Sequence, residues 1–280
     1  MKQNRQTYIR RGLLLAVLLA AAAAAGSLWN AAQTAGCRQA DLAQITDLSF
    51  LPDAQQAAAG ETVKRVCLTF DDGPSENTRQ VLAVLAKEQV PATFFVISAE
   101  NNSKDLPLVQ QEVAEGHQVA LHSASHEYKE IYASTDAYWA DIEKLKEALR
   151  PYIDVDSIDC LRFPGGSTNT VSRKYGGKGI MQELKAQAEA KGYHWVDWNV
   201  CADDAVGGKP SASQIARNVI QGAEDQDQCV VLMHDSSTTR TTAEALPEII
   251  TWFREEGYAF CTVDQVVPLP SKEEAASISG

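Results

Sequence analysis

Beyond residue 62 the chain alternates short apolar runs with longer amphipathic stretches. The runs Val66–Phe70, Thr93–Ile97, Gln118–Leu121, Cys160–Arg162, His194–Val200, Cys229–Met233 and Ala259–Val263 read as strands. Between them, Thr78–Gln89 carries Val81, Leu82, Val84 and Leu85 on one side, as a helix would. In Asp136–Arg150 the residues Tyr138, Ile142, Leu145 and Leu149 are spaced four, three and four apart, and Pro151 ends the pattern. Leu106–Glu115, Ser213–Gln221 and Thr242–Glu256 each run into a glycine (116, 222 and 257), the residue a left-handed helix cap asks for. Seven strands separated by helices predict an α/β fold with a parallel sheet, either open or closed into an irregular barrel.

The N-terminus obeys a different rule. Lys2, Arg5, Arg10 and Arg11 precede an apolar run from Leu13 to Trp29, which Ala31 and Ala32 extend. Basic residues stay on the cytoplasmic side, so the chain beyond the run is expected outside the membrane. The run approaches the roughly 20 residues that span a bilayer, and its alanines also offer cleavage sites. The expected layout is a cytoplasmic segment (1–12), a signal-anchor or signal peptide (13–32), a linker rich in Ala and Gln (33–62), a catalytic domain (63–267) and a flexible tail (268–280). The domain is expected outside the cytoplasm, anchored to the cell membrane or, if cleaved, secreted. The stretch Thr34-Ala35-Gly36-Cys37 only faintly resembles a lipoprotein processing site.

Composition narrows the partners. The chain has 280 residues and a net charge of −12, which argues against a nucleic-acid groove. None of the six cysteines forms a C-x-x-C pair, so a thiolate zinc site is not expected. Cys67, Cys160, Cys229 and Cys261 fall in or beside apolar runs, where Cys behaves as a small buried hydrophobe. Export permits disulfides, but the sequence assigns none.

Reactive side chains gather where the strands finish, and in parallel α/β folds the loops there share one rim. Asp71 and Asp72 come after the first run, and His122 and His126 after the third. Arg162 ends the fourth, Asp197 and Asp204 lie at and beyond the fifth, and His234 comes after the sixth. Adjacent carboxylates resist joint ionisation, so Asp71-Asp72 invites a cation or a proton. The plainer alternative is a capped turn, which Asp-Asp-Gly-Pro also suits. On a helical turn the four-residue spacing of His122 and His126 points both imidazoles the same way, as a metal requires; the alternative is two unrelated surface histidines. His117, just after Gly116, suits a backbone bond near a helix end, and His194 beside Trp195 a structural place. Two histidines and one carboxylate leave open positions for water and substrate. The other carboxylate is then free as a general base, with His234 as a separate acid and Arg162 as a fixed cation holding a carboxylate charged.

Taken in order, Thr69-Phe70-Asp71-Asp72-Gly73-Pro74, His122-Ser123-x-x-His126, Arg162-Phe163-Pro164-Gly165, Asp197-Trp198-Asn199-Val200 with Asp204, and Leu232-Met233-His234 resemble the five motifs of the polysaccharide deacetylases. These are the NodB-homology domains of carbohydrate esterase family 4, and the resemblance covers about Val63 to Val267. It implies a distorted (β/α) barrel with about seven parallel strands. It implies a hydrolase that removes N-acetyl groups from peptidoglycan or chitin-like sugars, or in some members O-acetyl groups from xylan. By resemblance, Asp72, His122 and His126 bind a divalent metal, Zn2+ or another such as Co2+. Asp71 is then the catalytic base, oriented by Arg162, and His234 protonates the leaving amine. Asp204 tunes that acid, with Asp197 as the second choice. Pro164, Gly165 and Trp198 face the substrate, the Gly165 N–H at the oxyanion.

Two features depart from the family pattern. Gly165-Gly166 stands where many members place an aromatic residue after the proline, and Asn199 and Cys201 stand where acids are common. Trp195, Trp198, Tyr128, Tyr132 and Trp139 are candidates for a sugar-stacking platform. An ester deacetylase shares the same chemistry. A glycan-binding pseudoenzyme or a structural metal domain has no reason to keep both a base and an acid.

Overall fold

Strand β1 (Arg65–Asp71) is buried over its last six residues, so it belongs at the centre of a sheet. In the computed structural model, which describes residues 63–265, it does. The expected basic segment, membrane segment, linker and tail lie outside the described residues. No helix among the described residues is long and apolar enough to cross a membrane.

Along its whole length β1 pairs in parallel with β7 (Gln228–His234). Its other edge is shared: Thr69–Asp71 pair β2 (Thr93–Ile97), while Arg65 and Val66 pair β8 (Ala259–Phe260). Outward from β2 come β3 (Gln118–Ser123), β4 (Cys160–Leu161) and β5 (His194–Trp195); beyond β7 lies β6 (Val200–Cys201). Every pairing is parallel. The two ends of this path, β5 and β6, are consecutive in the chain, yet among the described residues no ladder joins them. The sheet is a curled half-barrel, open along residues 196–199.

Helices cover its outer face: α1 (Glu76–Glu88), α2 (Leu108–Ala114), α3 (Tyr128–Ile131), α4 (Thr135–Leu149), α5 (Arg173–Gly176), α6 (Ile180–Ala190), α7 (Ala212–Ala223) and α8 (Thr241–Glu255). Strand side chains alternate between the two faces. Val66, Leu68 and Phe70 of β1, with Phe94, Leu121, Leu161, Val231 and Met233, form the core beneath the helices. Cys67, Phe95, Ala120, Cys160, Val230 and Leu232 belong to a second, interior cluster with Val196 and Trp198.

Several expected boundaries move. The run 194–200 is two short strands separated by an irregular link; seven strands form the half-barrel path, as expected, and β8 pairs β1 off it, eight strands in all among the described residues. The run 259–263 is a strand only over Ala259–Phe260, and Val263–Gln265 is a 3-10 turn. Gly116 and Gly257 take the left-handed conformation just beyond α2 and α8. Gly222 does not end its helix: α7 runs through it to Ala223. A Cβ there would stand 3.1 Å from Val200 Cγ1, so the glycine serves close packing of α7 on β6. Helix α6 was not expected.

The four cysteines expected to be buried are buried and free. Burial pushes the Cys160 and Cys229 thiols up to about 12, which keeps them inert.

Phe94 is 1% exposed and stacks on Phe70 with centroids 5.2 Å apart. Phe94→Ala is expected to cost about 3–5 kcal/mol in urea unfolding, by lost burial and a residual cavity. Val113→Ala, at a position 48% exposed, is expected to stay within about 0.5 kcal/mol of the parent chain.

Candidate active site

The strand alternation carries four functional side chains to one rim. Asp71 shares the parity of Cys67 and Thr69, His122 that of Ala120, Arg162 that of Cys160, and His234 that of Val230 and Leu232. All four therefore face the interior at the C-terminal ends of their strands. Asp72 would by parity point away. Its φ of 69° breaks the extended path and turns the carboxylate back into the mouth. Asn102 holds this turn, donating through Nδ2 to the carbonyls of Asp72 and Pro74, each at 3.0 Å.

Arg162 is fully buried beneath the rim. Its Nη1 donates to Asp71 Oδ1 at 2.7 Å and to Thr69 Oγ1 at 2.9 Å. Nε donates to the Val196 carbonyl at 3.0 Å and Nη2 to that of Asp197 at 3.2 Å. The guanidinium lies 4.0 Å from the centroid of the Phe95 ring. One Asp71 oxygen is thus fixed, and the other lies 3.8 Å from His122 Nε2.

His122 sits on β3 itself, and His126 lies in an irregular turn with φ 56°, not on the expected helical turn. The imidazoles still converge, with ring centroids 5.2 Å apart. His122 Nδ1 donates to the Arg162 carbonyl at 2.7 Å, which leaves Nε2 as an acceptor toward the pocket. Burial pushes the His122 imidazole down, outweighing the pull of Asp71, so it is neutral as a ligand must be. Asp72 Oδ1 lies 3.7 Å from His122 Nε2 and 3.3 Å from His126 Nε2. That oxygen is buried and has no hydrogen-bond partner. Burial alone would raise the Asp72 carboxyl; His126, His234 and His122 outweigh it and lower it. The ligating atoms of Asp72, His122 and His126 lie within 4.8 Å of one another. An orphaned carboxylate oxygen facing two imidazoles fits a divalent transition metal such as zinc or cobalt.

Asp141 on α4 shapes this turn and was missed from the sequence. It is 6% exposed, and its carboxylate accepts from Ser123 Oγ (2.6 Å), Ala124 N (2.7 Å) and Ser125 N (3.0 Å). Ser123 Oγ in turn accepts from His126 N at 2.8 Å. The signal was an acid among Tyr138, Ile142 and Leu145 on the buried face of the helix.

On the opposite wall, Asp204 binds His234 twice: Oδ1 to Nδ1 at 2.8 Å, and Oδ2 from the backbone N–H at 2.7 Å. Thr242 Oγ1 also donates to Oδ2, at 2.7 Å. Burial alone would push the His234 imidazole down. The charge and hydrogen bond of Asp204, with Asp72 and Asp71 behind, raise it to about 10. Asp197, the second choice for this place, instead accepts from Ser167 N and Oγ at 2.8 and 2.6 Å. Asp235, also missed, is buried behind His234; burial pushes its carboxyl up to about 7 against the hydrogen bond from Thr78.

The pocket between these walls is lined also by Tyr128, Gly165 and Trp198. Pro164 is buried behind Gly165, its carbonyl accepting from Tyr132 Oη at 2.8 Å. Tyr132 and Trp139 belong to the core rather than to a sugar platform. His117 accepts from the Ala92 N–H at 3.2 Å, a backbone bond as expected.

The polysaccharide deacetylase family profile matches residues 59–179. A peptidoglycan-N-acetylglucosamine deacetylase of Bacillus cereus is 33% identical over 206 residues, covering 72% of this chain and 70% of that one. The solved catalytic domain of a peptidoglycan N-acetylglucosamine deacetylase from Eubacterium rectale is 37% identical with a TM-score of 0.69, covering 77% of this chain and 96% of that one. A family 4 acetyl xylan esterase from Clostridium thermocellum, solved with a cobalt ion, is 27% identical with a TM-score of 0.58, covering 74% and 94%. The first curated relatives are longer proteins in part: the chain spans 30%, 70% and 44% of their lengths.

Asp72→Ala is expected to abolish tight zinc binding in titration calorimetry. Asp141→Ala is expected to weaken zinc affinity about 10- to 100-fold while the far-ultraviolet circular dichroism stays that of the parent, because the turn that carries His126 loses its anchor.

Proposed function

The chain belongs to the polysaccharide deacetylase family, and on that premise we propose that it is a divalent-metal-dependent N-deacetylase. It hydrolyses the acetamido groups of N-acetylglucosamine units in peptidoglycan or a chitin-like glycan and releases acetate. One observation carries this reading: a single rim holds three side chains able to ligate a metal, between a carboxylate paired with Arg162 and an imidazole paired with Asp204. A binding module needs no such opposed base and acid.

When bound to Asp72, His122 and His126, the cation supplies Lewis-acid polarisation and acidifies water. The protein's own groups do the rest. Asp71, fixed by Arg162, takes a proton from the attacking water as it adds to the acyl carbon. The Gly165 N–H, which has no backbone partner among the described residues, is free to donate to the oxygen that gains charge. His234 gives its proton to the leaving nitrogen as the C–N bond breaks, and Asp204 steadies the imidazole. The products are acetate and a glucosamine unit. The basic N-terminus and apolar segment support a location on the outer side of the cell membrane, facing the polymer.

O-acetyl esters of glycans are the second substrate class, supported by the likeness to the xylan esterase. The His234–Asp204 pair favours the amide, because an amine leaves poorly without a proton and this imidazole keeps its charge up to about 10.

The full chain with zinc is expected to release acetate from N-acetylglucosamine oligomers or peptidoglycan, and chelation is expected to stop it. Release only from acetylated xylan would favour the ester reading, and no release from any of them would overturn both. Asp71→Asn is expected to retain zinc and to lose about 10²- to 10⁴-fold in kcat. Wild-type turnover in that variant would remove Asp71 from the base role.

His234 acts while protonated, so activity falls as pH rises through its raised pKa. In Asp204→Asn the attraction is gone and burial pushes the imidazole down. The alkaline limb of kcat/KM is therefore expected at lower pH in that variant, read from full pH–rate profiles.

A further inference from the structure

Gly165 and Gly166 are not a gap in the pocket wall. Both are left-handed, with φ of 78° and 84°, and they lie between two aromatic rings. A Cβ on Gly166 would stand 3.1 Å from Cη2 of Trp198, and one on Gly165 would stand 2.6 Å from Tyr128 Oη. The space a side chain at 165 would need is taken by the Tyr128 hydroxyl.

Tyr128 is the first residue of α3, two residues beyond His126. Its ring meets the His126 ring edge-on at 5.5 Å and the Tyr132 ring at 5.7 Å. Packing on these two sides holds the ring and leaves its hydroxyl end at the pocket, which Tyr128 lines. The Tyr132 hydroxyl is committed to the Pro164 carbonyl at 2.8 Å. The Tyr128 hydroxyl has no hydrogen-bond partner among the described residues. A phenol O–H is a hydrogen-bond donor.

We propose that Tyr128 is a specificity-determining residue whose Oη donates a hydrogen bond to a hydroxyl or ring oxygen of the bound sugar, with Gly165 as the residue that admits it. This rests on the glycan-deacetylase reading above. The donor recognises the sugar and not the acetyl group, so it acts on binding and selection rather than on the chemical step.

The test uses the full chain with zinc and the variants Tyr128→Phe, Gly165→Ala and the double variant. An N-acetylglucosamine hexamer is titrated by calorimetry, and acetate release is measured on the hexamer and on 4-nitrophenyl acetate, which has no sugar. Tyr128→Phe is expected to weaken hexamer binding and raise KM about 3- to 10-fold, the scale of one neutral hydrogen bond. The loss on the hexamer is expected to exceed that on 4-nitrophenyl acetate at least threefold, with zinc affinity at the parent value. Gly165→Ala is expected to harm hexamer binding more in the parent than in the Tyr128→Phe background, because its clash is with Oη; backbone strain at 165 is common to both. Unchanged hexamer affinity and KM, equal loss on both substrates, reduced zinc affinity, or strictly additive losses would each overturn the assignment. If the parent releases no acetate from any substrate, the deacetylase reading fails by itself, and hexamer affinity still decides the role of Tyr128.

Discussion

One buried guanidinium ties the interior of this half-barrel together. Taking Arg162 out of water costs several kcal/mol, and only good geometry offsets it. The offset is visible: Asp71 and Thr69 on β1, the carbonyls of Val196 and Asp197 across the opening, and the Phe95 ring beneath. Residues 196–199 are where no ladder closes the barrel. Arg162 therefore tethers the link after β5, at Val196 and Asp197, to β1 by its side chain. The same residue delivers Asp71 to the rim, and its own carbonyl turns His122. The curvature, the Asp71 carboxylate and the His122 imidazole share one anchor.

Adjacent residues acquire different surroundings through backbone geometry. Asp71 keeps the strand's parity and meets Arg162, while Asp72 leaves it through a left-handed turn and meets the imidazoles. His126 reaches the same place by a second left-handed turn. Such conformations are uncommon for residues with a Cβ and persist where surrounding bonds over-determine them. Here Asn102 holds one turn, and Asp141 through Ser123 holds the other. The His234–Asp204 pair is built separately, from β7, the loop after β6 and Thr242 on α8.

What the sequence made legible was whatever obeys a period or a motif. Apolar runs located β1, β2, β3 and β7, because buried parallel strands are apolar on both faces. The same runs placed Asp71, His122, Arg162 and His234 at strand ends. Where periodicity fails, so did the reading. The segment 194–200 is apolar enough for one strand, but it bends to meet Arg162 and splits in two. Helix α6 has a narrow buried stripe of Ile180, Met181, Leu184 and Ala188 amid polar residues, too faint to stand out. The supporting residues Asn102, Asp141 and Asp235 belong to no run, and their importance comes from contacts between distant segments. Asp197 and Asp204 could be separated only by finding which one touches His234.

The shared parity of the reactive groups constrains the gene as well as the protein. Removing one codon within β1 ahead of Asp71 would move the following residues back one place, putting Asp71 where Phe70 packs under the helices and Phe70 on the inward face. The same loss in an exposed connection, such as that after α7, leaves every strand in phase. A change of length is thus tolerated in the connections and not within a strand.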